Sequence, residues 1–260
     1  MLKTILLYFT ILVYAEKSCI LGQGQHPKPR IVGGFPAIEG SIPYMASLQQ
    51  YGQHFCGGAV VNERTIVTAA HCLEKTTPRM LKIKVGGTNR AADYGQLFTV
   101  AAFHYNEKWT RQTMDWDIGI VRLDSPMAFS DKVRAIPLAG SSVPAGTFAT
   151  IAGWGYTTIF GPGTELLRYA RVPIVDQELC NRLMGNIITD RMVCAGYMRG
   201  SIDACQMDSG GPLVVREELY GIVSWGVGCA LPNKPGVYTR IQIVRTWLND
   251  IMSRFYNEVL

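Results

Sequence analysis

Within Met80-Leu81-Lys82-Ile83-Lys84-Val85, apolar and charged residues alternate from Leu81 onward. Leu81, Ile83 and Val85 fall on one face and Lys82 and Lys84 on the other, which is the period of a half-buried strand. Thr65–Thr68, Ile118–Leu123, Phe148–Ile151, Pro212–Val215 and Tyr220–Trp225 are equally short and rich in β-branched and aromatic residues. Glycine- and proline-bearing turns separate these runs, a punctuation that predicts an all-β sandwich or barrel. The exception lies at the end of the chain. Val244, Trp247, Leu248, Ile251, Met252 and Phe255 recur at helical spacing, predicting an amphipathic helix over about 244–256 that docks on the core. Asp176–Leu183 reads as a second, short helix, and Leu138–Gly146 (L-A-G-S-S-V-P-A-G) as a linker between two halves.

The rest of the composition bounds what such a chain does. With 260 residues, 48% of them hydrophobic and 17% charged, it buries a sizeable core and is not disordered. Residues 1–15 have the form of a signal peptide: Lys3, an apolar run from Ile5 to Tyr14, and the small-residue end Val13-Tyr14-Ala15. About ten apolar residues are too few to span a bilayer, so no membrane anchor is expected. Residues 16–30 hold Gly22, Gly24, Pro27 and Pro29, lack periodicity and end in Arg30, as an activation pro-segment would. Residues 1–30 carry Lys3, Lys17, Lys28 and Arg30 against Glu16, so the remaining 21 basic and 19 acidic residues leave a net charge of +2. That gives no footprint for nucleic acid. Secretion makes disulfides expected among seven cysteines. Cys19 stands apart from Cys56, Cys72, Cys180, Cys194, Cys205 and Cys229, and those six allow fifteen connectivities by spacing alone.

Chemistry concentrates in Cys205–Pro212, C-Q-M-D-S-G-G-P. Ser209 stands on a tight turn before two glycines, where another backbone can approach closely. A serine is a weak nucleophile until a base takes its proton and a third group orients that base. Beyond residue 30 the histidines are His54, His71 and His104. His71 lies in T-A-A-H-C, and Asp117 precedes the apolar run I-G-I-V-R-L. Taken singly, a histidine beside a cysteine is more often structural, and Asp117 is an ordinary turn carboxylate. Zinc-type spacings such as H-E-x-x-H are absent, and no metal or cofactor is expected.

In order, I-V-G-G (31–34), T-A-A-H-C (68–72), D-I-G-I (117–120), D-S-G-G-P (208–212) and S-W-G (224–226) resemble the motifs of the chymotrypsin-like (trypsin family) serine proteases. The resemblance covers roughly Ile31–Asn257. It implies two six-stranded antiparallel β-barrels, about 31–138 and 146–243, with a C-terminal helix and the active site between the barrels. It implies a peptidase domain over 31–260 with His71, Asp117 and Ser209 as base, orienter and nucleophile, and Ser224 as a hydrogen-bond donor to the aspartate. It pairs Cys56–Cys72, Cys180–Cys194 and Cys205–Cys229. Cys19 has no partner, and Pro137 occupies the region where some relatives tether the pro-segment through a cysteine. Cleavage between Arg30 and Ile31 is implied, with the new Ile31 ammonium pairing with Asp208.

Further implications concern substrate. Asp203 matches the floor of the primary pocket, Gly226 and Gly236 its walls, and Ser224 and Trp225 its edge. A carboxylate in an open slot wants arginine or lysine, and Ala204, where the most trypsin-like pattern has serine, tilts preference toward arginine. The stretch 86–95, with Asp93 as its sole carboxylate, is too poor in carboxylates for the calcium that some relatives bind there. The expected protein is a secreted monomer acting on protein or peptide substrates, activated by a trypsin-like protease (itself included) and met by protein inhibitors. One residue breaks the pattern. Met207 stands where the family has the glycine that shares the oxyanion hole with the N–H of Ser209. Either the methionine backbone keeps that conformation and its side chain alters fit on the leaving-group side, or the peptide turns away. The second outcome would make the chain a catalytically weak homologue acting as a binding module.

Overall fold

The computed structural model describes residues 34–90, 95–156 and 163–257. The signal peptide, the pro-segment with Cys19, the Arg30–Ile31 bond and Asp93 lie outside the described residues. A two-residue strand, β1 (Phe35–Pro36), opens the described chain. Six strands then follow: β2 (Met45–Gln50), β3 (Gln53–Asn62), β4 (Thr65–Thr68), β5 (Leu81–Val85), β6 (Gln96–Tyr105) and β7 (Gly119–Leu123). They close into an antiparallel barrel in the order β2-β3-β4-β7-β6-β5. In β5, Leu81, Ile83 and Val85 are buried while Lys82 and Lys84 are half-exposed, the alternation written in the sequence.

The second half holds β8 (Phe148–Gly153), β9 (Arg168–Pro173), β10 (Met192–Ala195), β11 (Pro212–Val215), β12 (Glu218–Trp225) and β13 (Gly236–Arg240). They form one sheet in the order β9-β8-β11-β12-β13-β10, with β1 added outside β9. An antiparallel bridge between Ile174 and Ala195 joins the two ends of that order. The Val175 N–H donates to the Cys194 carbonyl (2.8 Å) and the Gly196 N–H to the Pro173 carbonyl (3.0 Å), so six strands close on themselves. The two halves of the chymotrypsin-like double barrel are therefore in place. β1 corrects the sequence-based boundary: Phe35 and Pro36 pair with Tyr169 and Arg168 of the second half, although they precede the first barrel in the chain.

Among the described residues three α-helices, α1 (Ala70–Leu73), α2 (Gln177–Leu183) and α3 (Ile241–Asn257), and a short 3-10 turn at Pro78–Met80 complete the fold. Asp176 caps α2, its carboxylate accepting the Leu179 N–H at 2.9 Å. α3 begins three residues before the expected start because it follows β13 directly. Its buried Ile241, Val244, Leu248, Ile251 and Phe255 share one core cluster with the first barrel's Ile120 and Leu123, so this helix packs on the first barrel. Burying five such side chains supplies apolar stabilisation of about 1.5–3 kcal/mol each before entropy is counted. The segment 138–146 is a bonded strap, not a free linker. The Ala139 N–H donates to the Leu219 carbonyl (3.0 Å) and the Gly146 N–H to the Ile174 carbonyl (2.8 Å).

Candidate active site

His71 rides on the single turn α1, and Cys56 of β3 is bonded to Cys72 beside it. Its ring faces Asp117, which stands at the entry to β7. The His71 Nδ1 lies 2.7 Å from Asp117 Oδ2, and the His71 backbone N–H donates to Oδ1 at 2.9 Å. Ser224 Oγ, from β12, donates to the same Oδ2 at 2.5 Å. Thr239 Oγ1, from β13, donates to the Asp117 carbonyl at 2.7 Å. The Asp117 side chain is fully buried, while 20% of the His71 side chain is exposed. An enclosed carboxylate with these donors fixes the imidazole with its other nitrogen, Nε2, free to act as a base.

Ser209 is pinned between the barrels. Its carbonyl accepts the Gly57 N–H of β3 at 2.7 Å, and the next N–H, of Gly210, donates to the Val223 carbonyl of β12 at 2.8 Å. Gly210 has φ +76°, and a Cβ there would meet Thr68 Oγ1 at 2.2 Å, so no other residue fits. The Ser209 hydroxyl makes no hydrogen bond among the described residues, as is common before substrate binds.

Met207 has φ +72°, the left-handed region that costs a residue with a Cβ about 1–2 kcal/mol. Two hydrogen bonds, one on each side of the residue, hold it there. The Gln206 carbonyl accepts the Tyr156 N–H at 2.8 Å. A planar trans peptide carries its N–H opposite its carbonyl, so the Met207 N–H points away from Tyr156. On the other side of the residue, His54 Nε2 donates to the Met207 carbonyl at 3.1 Å, while His54 Nδ1 pairs with Ser47 Oγ at 2.8 Å. Burial pushes the His54 pKa down to about 4, so the ring is neutral near pH 7. Neither the Met207 nor the Ser209 N–H donates a hydrogen bond among the described residues. The thioether lies beside Gly163, where a Cβ would approach Sδ to 3.3 Å. His54 has no signal in the sequence that could have marked this role: Q-H-F-C carries no spacing tied to residue 207.

Asp208 turns inward. Its Oδ1 accepts the Gly155 N–H at 2.8 Å and its Oδ2 the Cys205 N–H at 2.9 Å. Burial raises its pKa to about 7 despite these donors. Asp203 and Ser209 line a cavity of about 180 Å³ together with Ala204, Trp225, Gly226 and Gly236. Cys205, bonded to Cys229, lines it too. Asp203 Oδ2 accepts the Ala230 N–H at 3.0 Å, whereas the buried Oδ1 has no partner among the described residues. A side chain on Gly236 would close the slot, its Cβ falling 2.8 Å from that oxygen. Burial raises the Asp203 pKa to about 7, against the hydrogen bonds from Ala230 and Ala204. Cys180–Cys194, the third disulfide, ties α2 to β10 away from the cavity. Among the described residues the three-residue cluster of metal-ligand types is Cys56, His71 and Cys72, and its two sulfurs are already joined in a disulfide.

Across residues 31–248 the sequence matches the profile of the family described as Trypsin. The chain belongs to the trypsin family. Trypsin-family relatives span nearly its whole length. It is 41% identical to Hypodermin-B of Hypoderma lineatum over 260 residues, covering 96% of this chain and all of that protein. It is 41% identical to a Trypsin of Simulium vittatum, covering 91% and 99% of the two chains. It is 39% identical to the Vitellin-degrading protease of Bombyx mori, covering 96% and 95%. Trypsin-family membership makes the chain a serine endopeptidase homologue, and no helix of the described residues is long and apolar enough to cross a membrane.

Proposed function

We propose that this protein is a secreted zymogen that, once cut between Arg30 and Ile31, hydrolyses peptide bonds after arginine and, less readily, lysine. The observation that carries the specificity is the unpaired Oδ1 of Asp203 in the lining of a narrow slot. A buried carboxylate with one open oxygen is a costly arrangement unless a long cation arrives to meet it. An arginine guanidinium has the reach and the planar fork to do so.

In this reading the chemistry runs through Ser209, His71 and Asp117. Ser209 Oγ attacks the scissile carbonyl, and His71 Nε2 takes the hydroxyl proton. Asp117 holds the imidazole tautomer and offsets the charge of the imidazolium that forms. The free N–H groups of Met207 and Ser209 receive the developing oxyanion. His71 next protonates the leaving amine, and water repeats the sequence in reverse to release the acid. Trp225 and Ser224 edge the slot where the substrate side chain enters.

The apolar run Ile5–Tyr14 supports secretion, and the basic end of the pro-segment followed by I-V-G-G supports activation by cleavage. Asp208 supports the same step. A buried carboxylate near pKa 7 is half-protonated at neutral pH, and a new terminal ammonium would restore its charge. An Arg30→Gln protein is therefore expected to stay inactive when treated with a trypsin-like protease that activates the parent. The parent's own cleavage profile on a peptide library, read after activation, is expected to show Arg above Lys before the cut. Full activity of Arg30→Gln without processing would remove the zymogen reading, and apolar residues before the cut would remove the pocket assignment.

Met207 sets the expected response to inhibitors. A rigid protein inhibitor fills both sides of the cut site and must move the thioether, which costs side-chain freedom of about 1–2 kcal/mol. Met207→Gly is expected to tighten such an inhibitor about tenfold while turnover of a small arginyl ester stays within a few fold. A hundredfold rise in ester turnover would instead mean that the methionine N–H was misplaced, and would favour the binding-module reading.

A further inference from the structure

The loop that delivers Asp117 is strained. Met114 (φ +52°) and Trp116 (φ +58°) both occupy the left-handed region, two bulky residues within three positions. The Ile118 N–H donates back to the Trp116 carbonyl at 2.7 Å, so Asp117 sits at the corner of a three-residue turn. Such a conformation persists only where the surroundings over-determine it.

The restraint comes from the second barrel. Asp115 is gripped by Arg191, whose Nε lies 3.0 and 3.1 Å from the two carboxylate oxygens and whose second guanidinium nitrogen lies 2.7 Å from Oδ2. Thr189 Oγ1 donates to Asp115 Oδ1 at 2.8 Å, and so does the Trp116 backbone N–H, at 3.0 Å. The Arg191 guanidinium also stacks 5.6 Å from the Trp116 ring centre, and the Lys108 ammonium lies 5.1 Å from the same ring. Arg191 is itself tied down, its carbonyl accepting the Arg240 N–H at 2.7 Å. The pair is mostly enclosed, with 15% of the Asp115 side chain and 28% of the Arg191 side chain exposed. Burial opposes ionisation of Asp115, but the hydrogen bonds from Arg191 and Thr189 and the Arg191 charge hold its pKa below the usual carboxylate range.

We propose that Asp115 and Arg191 are positioning residues for catalysis: their ion pair, made across the barrel interface, fixes Trp116 in its left-handed conformation and so sets the Asp117 carboxylate against His71. This rests on the catalytic reading of His71, Asp117 and Ser209. The geometry gives one short path. The same Asp115 oxygen that Thr189 and Arg191 hold also accepts the Trp116 N–H, and Trp116 is joined directly to Asp117. Without the pair, Trp116 is free to return to an ordinary conformation, which would swing the Asp117 carboxylate relative to the imidazole. Of the residues that line the specificity slot, Ser224 touches the Asp117 carboxylate, whereas Asp203, which meets the cation, lies on a separate loop, so the slot is expected to keep its affinity for a cation.

The test is a double-mutant cycle on the activated protein: Asp115→Asn, Arg191→Met and both together. The readouts are kcat and KM for a small arginyl ester, the inhibition constant of benzamidine, and Tm. Each single variant is expected to lose about tenfold or more in kcat with KM and benzamidine binding unchanged, as for an interaction needed only in the transition state. The double variant should lose little more than either single one, and Arg191→Lys should recover part of the loss. A purely structural pair would lower Tm and leave kcat, measured well below Tm, within about twofold of the parent, which would overturn the proposal. So would a parallel loss of benzamidine binding, which would mean that the whole cleft had collapsed. If the large variants do not fold, Thr189→Val removes one of the hydrogen bonds on Asp115 and should lower kcat a few fold. Failure of the catalytic reading itself looks different: a Ser209→Ala protein would then hydrolyse the ester as fast as the parent.

Discussion

Replacing Ser209 with alanine is expected to lower kcat for a small arginyl ester by about 10⁶-fold, and replacing His71 in the same chain to lower it little further. The two side chains carry one proton transfer between them, so removing either disables the step. Asp117 stands one place back. Asp117→Asn keeps the shape of the site, but its amide can donate a proton to Nδ1 and so favour the wrong imidazole tautomer, with an expected loss of about 10⁴-fold. Benzamidine binding should change little in all three, because its cation is met by Asp203, and of the replaced residues Ser209 alone lines the slot, where it loses one hydroxyl. The measurement is steady-state kinetics on activated protein. A loss below a hundredfold in Ser209→Ala would mean that another group attacks the ester.

The second large effect lies in the slot. Asp203→Ser is expected to lower kcat/KM for arginyl and lysyl substrates by about 10³-fold or more, since a cation left in a buried site without its partner costs about 3–5 kcal/mol. Esters with apolar side chains should lose far less. The same carboxylate predicts a pH dependence for ligand binding. Burial raises the free Asp203 pKa to about 7, and a bound amidinium favours the ionised form. Benzamidine binding should therefore be full above that value and weaken as pH falls through it, while a neutral apolar ligand shows no such change. Retention of arginine specificity in Asp203→Ser would place the cation-binding group elsewhere.

Much of this was legible because the informative patterns are short and local. The alternation of 81–85 reads directly as one buried and one wet face. The apolar period of Val244–Phe255 marks the final helix, although not its start, because Ile241 and the two residues after it follow β13 with no cap or turn residue between them. Two glycines after Ser209 signal a close approach, and the structure supplies it: the backbones of β3 and β12 flank the serine. Long-range pairings were not legible. β1 joins a strand more than 130 residues away, a partnership decided by sheet edges and not by its own two residues. His54 under Met207, and Arg191 on Asp115, meet their partners only through the fold, and nothing in their neighbours' spacing marks them. The left-handed conformation at Met207 was one of two outcomes open in the sequence. The Tyr156 and His54 hydrogen bonds on either side of the residue decide it, because both would be lost if the peptide turned.

Titration of the active site tests the central claim most directly. Parent protein cleaved at Arg30 would be mixed with an excess of a guanidino-bearing ester whose acyl-enzyme is slow to hydrolyse, and the initial burst of leaving group measured. The account predicts a burst close to one equivalent per folded chain and none from Ser209→Ala, because it assigns Ser209 as the nucleophile, His71 as its base and the Met207 and Ser209 N–H groups as the oxyanion donors. A cleaved, folded protein that bound benzamidine but gave no burst would contradict it.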